Sequence, residues 1–478
     1  MKHKRLLHSL NYLIKPLDMK IVIVGAGAVG THLARMLSND NQDVILIDGD
    51  ENRLVRLGSE LDIMTLARQP ASISTLKDAE VSKADLFIAV TPHESENLTC
   101  AMLAKQLGAR RTVARVDNYE YTKPDNMPLF VKAGIDSLIY PEQLAAEDIA
   151  ASARYSWVRQ MWEFNGGELL LLSVKMHDAN PVYEKEISNK DNQLVGYTLK
   201  EIGKAHGHNF HVVAIKRNGE TISPNGDERI LPRDLVFFMT TKDNLEEIKH
   251  LTGKDGYPAV RNSLIIGGGK LSVRASWKLN SIHNNVKIIE PDHGRTEQLQ
   301  SLVSADTMIL EGDGYDMDLL NDEGFNSMEA IIALTDNDQE NILACVAARR
   351  RGIRKTIAQV ENLDYFDMAD DLDVGTIINK KMIAASHIYR MLLKGDVNNV
   401  KMLAIGKADV AEFVVKPGSK ATKKIIMEQN LPRGVNIGGM SRDGKSMLVG
   451  GHTQLQAGDK VVVFCIDNTL RKLDKFFK

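Results

Sequence analysis

The chain has 478 residues, enough for about three domains. Its 60 Lys+Arg against 63 Asp+Glu leave a net charge of −3, which offers no surplus of cations for a general nucleic-acid binder. Hydrophobic residues make up 43%, charged residues 26% and aromatics 5%, which excludes a disordered chain and calls for a mostly aliphatic core.

Residues 1–18 are basic and mildly apolar, but His8, Ser9 and Asn11 break the apolar stretch a signal peptide needs. They read as an N-terminal extension or an over-extended start. The longest uncharged apolar run, residues 21–30, is far short of the roughly 20 residues that cross a bilayer, so no direct membrane insertion is expected.

Residues 21–24 (IVIV) form a continuous β-branched run, as expected for a parallel strand buried on both faces. Gly25-Ala26-Gly27-Ala28-Val29-Gly30 then fits G-x-G-x-x-G. Residues 31–37 place Leu33, Ala34 and Leu37 on one helical face, residues 39–42 read as a turn, and a second strand over 44–47 ends on Asp48. The spacing has a physical reading. Gly25 permits a tight turn, Gly27 lets the backbone approach a pyrophosphate, and Gly30 lets helix and strand pack closely. Asp48, 23 residues beyond Gly25, can accept hydrogen bonds from a ribose diol. A carboxylate there repels a 2′-phosphate, which favours NAD(H) or an adenosine nucleotide over NADP.

Strands are expected over 62–66, 86–91 and 112–116, with a helix over 96–107. Thr91 and Arg115 fall at or near strand carboxyl ends, where open α/β sheets bind ligands. Arg115 is placed to meet a phosphate or to pair with a neighbouring acid.

The pattern then recurs. Residues 264–266 lead into Gly267-Gly268-Gly269, and a strand over 286–289 ends on Glu290, again 23 residues beyond the first glycine. AVTPHESEN (89–97) matches ALTDNDQEN (333–341), and ARVDNYEY (114–121) matches AQVENLDY (358–365). After each copy comes a small α+β unit with a hairpin turn, at Asn218-Gly219 and at Asp443-Gly444. Gly253 to Pro258 read as a linker by composition. Cys100, Cys345 and Cys465 lie far apart without C-x-x-C spacing, which argues against disulfides and a cysteine zinc site and for the cell interior.

The order of units, GAGAVG with Asp48, AVTPHESEN, VARV (113–116) and INKKMIAASHIYR (378–390) together resemble the TrkA family, the regulatory subunits of Trk potassium uptake systems. The resemblance covers residues 19–478. It implies two RCK (regulator of potassium conductance) domains at 19–155 and 261–392, TrkA-C domains at 165–252 and 400–478, and a linker at 253–260. The fold expected is α/β: a tandem duplication of a Rossmann-like doubly wound parallel-sheet domain, each followed by a small α+β TrkA-C domain. The resemblance also implies a non-enzymatic, cytoplasmic subunit, peripheral at the inner face of the membrane. There a homo-oligomer, a tetrameric ring, would dock on a Trk-type membrane transporter and gate potassium entry in response to NAD or NADH, or to ATP/ADP.

By the same resemblance, the first site comprises Gly25, Ala26, Gly27, Ala28, Val29, Gly30, Asp48, Thr91, Pro92 and Arg115. The second comprises Gly267, Gly268, Gly269, Lys270, Leu271, Glu290 and Thr335. Two departures mark the second copy: Ser272 stands where Gly30 does, so helix and strand are expected to pack less closely, and Gln359 stands where Arg115 does. An NAD-dependent oxidoreductase is the alternative, but it needs a proton-transfer group facing the nicotinamide, and no such constellation is visible. Arg349-Arg350-Arg351 before Gly352 reads as a cationic helix end, His206, His208 and His211 as a surface cluster, and Trp157 and Trp162 as packing residues.

Overall fold

The computed structural model describes residues 19–39, 42–177, 193–207, 209–257, 259–316, 325–392, 397–403, 408–432, 434–466, 473 and 476–477. The extension 1–18, part of the turn at 39–42, His208 and Pro258 lie outside them. The chain divides into two compact units, Met1–Pro141 and Glu142–Lys478.

The first unit is built on six parallel strands: β1 (Lys20–Val24), β2 (Asp43–Asp48), β3 (Met64–Ala67), β4 (Leu86–Ala89), β5 (Thr112–Arg115) and β6 (Ser137–Ile139). Their order is β3-β2-β1-β4-β5-β6. Strand order reverses between β1 and β4, and the crevice beyond their carboxyl ends is where such sheets take ligands. The last four residues of β1 and all four of β4 are buried, so their continuous apolar runs are what a two-sided core requires. The third strand starts two residues later than the sequence pattern indicates and the fourth ends at Ala89, which frees Thr91 for the loop.

The second unit holds three sheets. β7 (Gln160–Phe164), β8 (Leu169–Lys175), β9 (Phe210–Arg217), β10 (Glu220–Ile222) and β11 (Leu235–Thr241) form an antiparallel sheet in the order β10-β9-β11-β8-β7. β12 (Asn262–Ile266), β13 (Asn285–Glu290), β14 (Thr307–Glu311), β15 (Ala330–Ala333), β16 (Lys355–Gln359) and β17 (Thr376–Ile378) repeat the parallel sheet as β14-β13-β12-β15-β16-β17. β18 (Val397–Leu403), β19 (Ala408–Val414), β20 (Val435–Arg442), β21 (Lys445–Leu448) and β22 (Lys460–Ile466) close the chain as a second antiparallel sheet, in the order β18-β19-β22-β20-β21.

The small sheets share local devices. Asn218-Gly219 and Asp443-Gly444 both have positive φ, as the tight hairpin turns between β9 and β10 and between β20 and β21 demand. Arg217 grips the buried Asp234 through two 2.8 Å bonds, and Arg442 grips the buried Asp459 in the same way.

The two small sheets pack on one another through Trp162, Phe237, Met239, Val410, Val462 and Phe464. The Phe237 and Phe464 rings lie 6.0 Å apart and Trp162 stacks on Phe237, while Trp157 sits in the first small domain's core. A Cβ on Gly439 would lie 2.7 Å from Leu169, so the glycine pair at 438–439 lets the sheets approach.

The helix Pro141–Arg154, inside the first domain by the sequence reading, buries Ala145, Ala146, Ile149 and Ala153 against Ile265, Leu271 and Ile288 of the second parallel sheet's core. The segment read as a linker is packed rather than free: Lys254 and Tyr257 are buried, and Tyr257 joins the first small domain's core.

Candidate functional site

In the first unit, Gly25 takes φ +101° and its N–H donates to the Ile47 carbonyl at 2.8 Å, which turns the chain off β1. A Cβ on Gly25 would lie 2.9 Å from the Thr91 nitrogen, and one on Gly30 would collide with the Gly25 carbonyl oxygen. Gly27 has nothing within 4 Å of its missing Cβ, so this side of the loop is open. The helix Ala28–Asn39 follows at once, with its first bond from Thr31 N to Gly27 O at 2.9 Å. The N–H groups of its first turn therefore have no helical partner, and no acid sits there to neutralise the positive end.

Asp48 closes the loop. Its Oδ2 accepts the Ala26 N–H at 2.6 Å and its Oδ1 accepts the Asp50 N–H at 2.8 Å. Each oxygen keeps acceptor capacity for a hydroxyl.

Thr91 and Arg115 are brought to the same rim by a residue the sequence reading passed over. The buried Asn97 Nδ2 donates to the carbonyls of Thr91 and Arg115, each at 3.0 Å, and Asn97 Oδ1 accepts the Thr91 N–H at 2.8 Å. Thr91 is thus spent on loop shape, while Pro92 is exposed. Arg115 pairs with Asp117 at 3.3 Å, and among the described residues its buried Nε has no hydrogen-bond partner.

The second unit repeats the glycine turn, the strand-end carboxylate and the buried asparagine. Gly267 takes φ +97° and donates to the Ile289 carbonyl at 2.9 Å. Glu290 Oε2 accepts the Gly268 N–H at 2.6 Å and Oε1 accepts the Asp292 N–H at 3.1 Å. Gly269 is the open glycine, and the helix Lys270–Asn280 starts with Lys270 at its positive end. Leu271 is buried. Asn341 donates to the carbonyls of Thr335 and Gln359, each at 2.9 Å.

Ser272 is fully buried in place of the third glycine, and among the described residues its hydroxyl has no partner. Gln359 is buried and brings no cation, but Arg295 does: its Nε donates to the Gly268 carbonyl at 2.7 Å. Its counterpart Arg53 lies 3.4 Å from Asp50. The equal spacing of Asp50-x-x-Arg53 and Asp292-x-x-Arg295 was the signal available in the sequence.

The second arrangement opens into a cleft of about 510 Å³, lined by the glycine loop, Glu290, Arg295, Asp313, Tyr315, Thr335, Asp336 and Glu340. That volume lies in the range of small-molecule sites. Burial, with Glu340 nearby, pushes the Tyr315 phenol up, so it faces the cleft as a neutral group. Open loop glycines, a ribose-height carboxylate, an uncompensated helix start and an unpartnered Arg115 nitrogen all fit a dinucleotide or adenosine nucleotide.

Elsewhere, Arg349 turns inward to Asp373 at 2.6 Å while Arg350 and Arg351 are exposed. His206 ends a helix and His211 lies on β9. Among the described residues no His, Cys, Asp or Glu group is placed to hold a metal, and the three cysteines are buried and form no disulfide. Burial pushes the Cys100 and Cys345 thiols up to about 12.

The TrkA-N domain family matches residues 21–141 and 263–380, and the TrkA-C domain family matches 186–253 and 410–478. The chain belongs to the TrkA family. It is 28% identical to the Trk system potassium uptake protein TrkA of Halomonas elongata, covering 96% of this chain and 99% of that relative. It is 27% identical to the protein of the same name from Haemophilus influenzae, with the same coverage. The Archaeoglobus fulgidus TrkA homolog is 28% identical over 96% of this chain and all of its own length. Among solved structures, the GsuK RCK domain superposes with TM-score 0.58 at 15% identity, over 97% of this chain and 96% of that one. The GsuK channel bound to NAD gives 0.57 at 16% identity, over 100% and 83%. Two TrkA-N folds, each followed by a TrkA-C domain, therefore account for the architecture. No described helix is long and apolar enough to cross a membrane.

Proposed function

We propose that this chain is the nucleotide-sensing regulatory subunit of a Trk-type potassium uptake system. It would act as a homotetrameric ring at the cytoplasmic face of a membrane transporter and gate potassium entry. The observation that carries the reading is the doubled site: in each TrkA-N fold a carboxylate at the end of the second strand holds the glycine loop from beneath, at 2.6 Å. A purely structural repeat has no need to keep both the open glycine and the carboxylate.

At the first site Gly25 to Gly30 and the helix start would hold the phosphates, Asp48 the ribose, and Arg115 a phosphate oxygen. At the second, Gly267 to Leu271, Glu290, Arg295 and Thr335 play these parts. The ligand supplies no chemistry in this reading. Its binding energy goes into favouring one arrangement of the subunit over another, which requires different affinities for the two.

The second cleft adds a preference. Four carboxylates line it against one arginine, a field that opposes the four charges of ATP more than the two of NAD(H). NADH is expected to bind there about tenfold or more tighter than magnesium-free ATP.

The test is potassium flux through the Trk transporter in proteoliposomes, with the chain added and NADH or ATP titrated. Flux that depends on both chain and nucleotide, with NADH absorbance unchanged, supports the reading. Cofactor oxidation in the presence of candidate metabolites would favour the oxidoreductase instead.

A further inference from the structure

Within the unit Glu142–Lys478, a cavity of about 20 Å³ lies between the first small domain and the second parallel sheet. That is room for about one water-sized group or slightly more. Its wall carries Arg159, Lys175, Lys254, Arg349, Arg354 and Lys355 and, among the described residues, no carboxylate.

Lys355, on β16, is 2% exposed. Its Nζ donates to the Val158 carbonyl at 2.7 Å and to Thr376 Oγ1 at 3.1 Å, and among the described residues no carboxylate pairs with it. The two carboxylates behind the wall are each already shared. Asp373 serves Arg159 and Arg349, and Asp370 lies 3.6 Å from Lys175 and 3.3 Å from Lys216. Burying a cation without a counter-charge is among the most costly arrangements in a protein. Burial, followed by Arg159 and Arg349, pushes the Lys355 ammonium well below its ordinary value, and burial moves Lys175 in the same direction.

We propose that this cavity is an anion site for a halide-sized inorganic ion, chloride in the cell, seated against Lys355 and Arg159. The room favours a monatomic ion over a tetrahedral oxyanion, and the third proton of Lys355 is the donor left for the ion. Arg159 and Lys175 come from the first small domain and Lys355 from the second TrkA-N fold. The ion therefore ties two domains together and makes their junction dependent on anion concentration.

The experiment has two readouts on the full chain. Crystals soaked in potassium bromide should show an anomalous peak within hydrogen-bond reach of Lys355 Nζ. The thermal midpoint should rise saturably, by several degrees, when potassium chloride replaces potassium gluconate at constant ionic strength. Lys355→Met should remove the chloride dependence. Should that variant not fold, Arg354→Gln at the cavity wall should shift the chloride titration to about tenfold higher concentration. No bromide peak with equal midpoints in the two salts would overturn the proposal, leaving Lys355 as a neutral amine. Stabilisation by phosphate and not by chloride would overturn it on size.

Discussion

Asp48 and Glu290 each do two things: they fasten a glycine loop through one short bond to its backbone, and they present the remaining lone pairs at ribose height. Hydrogen bonds to a charged group are worth about 1.5–3 kcal/mol, so Asp48→Ala is expected to weaken NADH binding at the first site about ten- to a hundredfold, read by titration calorimetry. Unchanged affinity would remove the ribose assignment. Gly30 is a packing residue: Gly30→Ala should cost about 1–3 kcal/mol or more in urea unfolding, because its methyl meets the Gly25 carbonyl. Both carboxylates were legible from spacing alone. Arg295 repeats the spacing of Arg53, but that spacing does not give its role, which depends on a long side chain reaching the Gly268 carbonyl, 27 residues away in sequence. Arg295→Ala should weaken nucleotide binding at the second site more than Gln359→Ala, since Gln359 is buried and brings no charge.

At the scale of elements, the buried asparagines stitch strand ends together. Asn341 holds the Thr335 loop and the end of β16 through four bonds of 2.9–3.0 Å. Asn341→Ala leaves those groups unsatisfied in the interior and should destabilise the second unit by about 2–4 kcal/mol. Equal urea midpoints for variant and parent would contradict that role. The alternation of strand and helix was readable because β1, β4, β12 and β15 are buried on both faces and carry unbroken apolar runs. β3 was misplaced by two residues because it is an edge strand, with Met64 exposed. β6 and β17 were missed because three residues carry too little pattern. The alanine face of Pro141–Arg154 shows that the helix is amphipathic, but no periodicity says which sheet it covers.

At the scale of the molecule, duplication places two TrkA-C sheets in one chain and lets them pair as halves of a common core. Gly439→Val would drive a branched side chain into Leu169 and should lower thermal stability by several degrees; an unchanged midpoint would mean the sheets need not approach so closely. The junction between the first small domain and the second TrkA-N fold is ionic. Burial alone would raise the Asp370 carboxyl, but Lys175, Lys216 and Arg159 hold it below its ordinary value. A depressed carboxyl contributes stability above its unfolded pKa, and that stability fades as the pH falls through the folded value. The stability lost between pH 5 and pH 3 should therefore be smaller in Asp370→Asn than in the parent, measured by urea midpoints. The tandem order was legible from the internal repeat; the pairing of the small sheets was not, because its contacts join residues far apart in the chain.

The most direct test is a calorimetric titration of the purified chain with NADH, run on the parent, Asp48→Ala, Glu290→Ala and the double variant. Two binding events in the parent, one lost with each single variant and both with the double, are the result expected of two live nucleotide sites. Saturable binding that survives the double variant, or none in the parent, would contradict a subunit that senses nucleotides through these two loops.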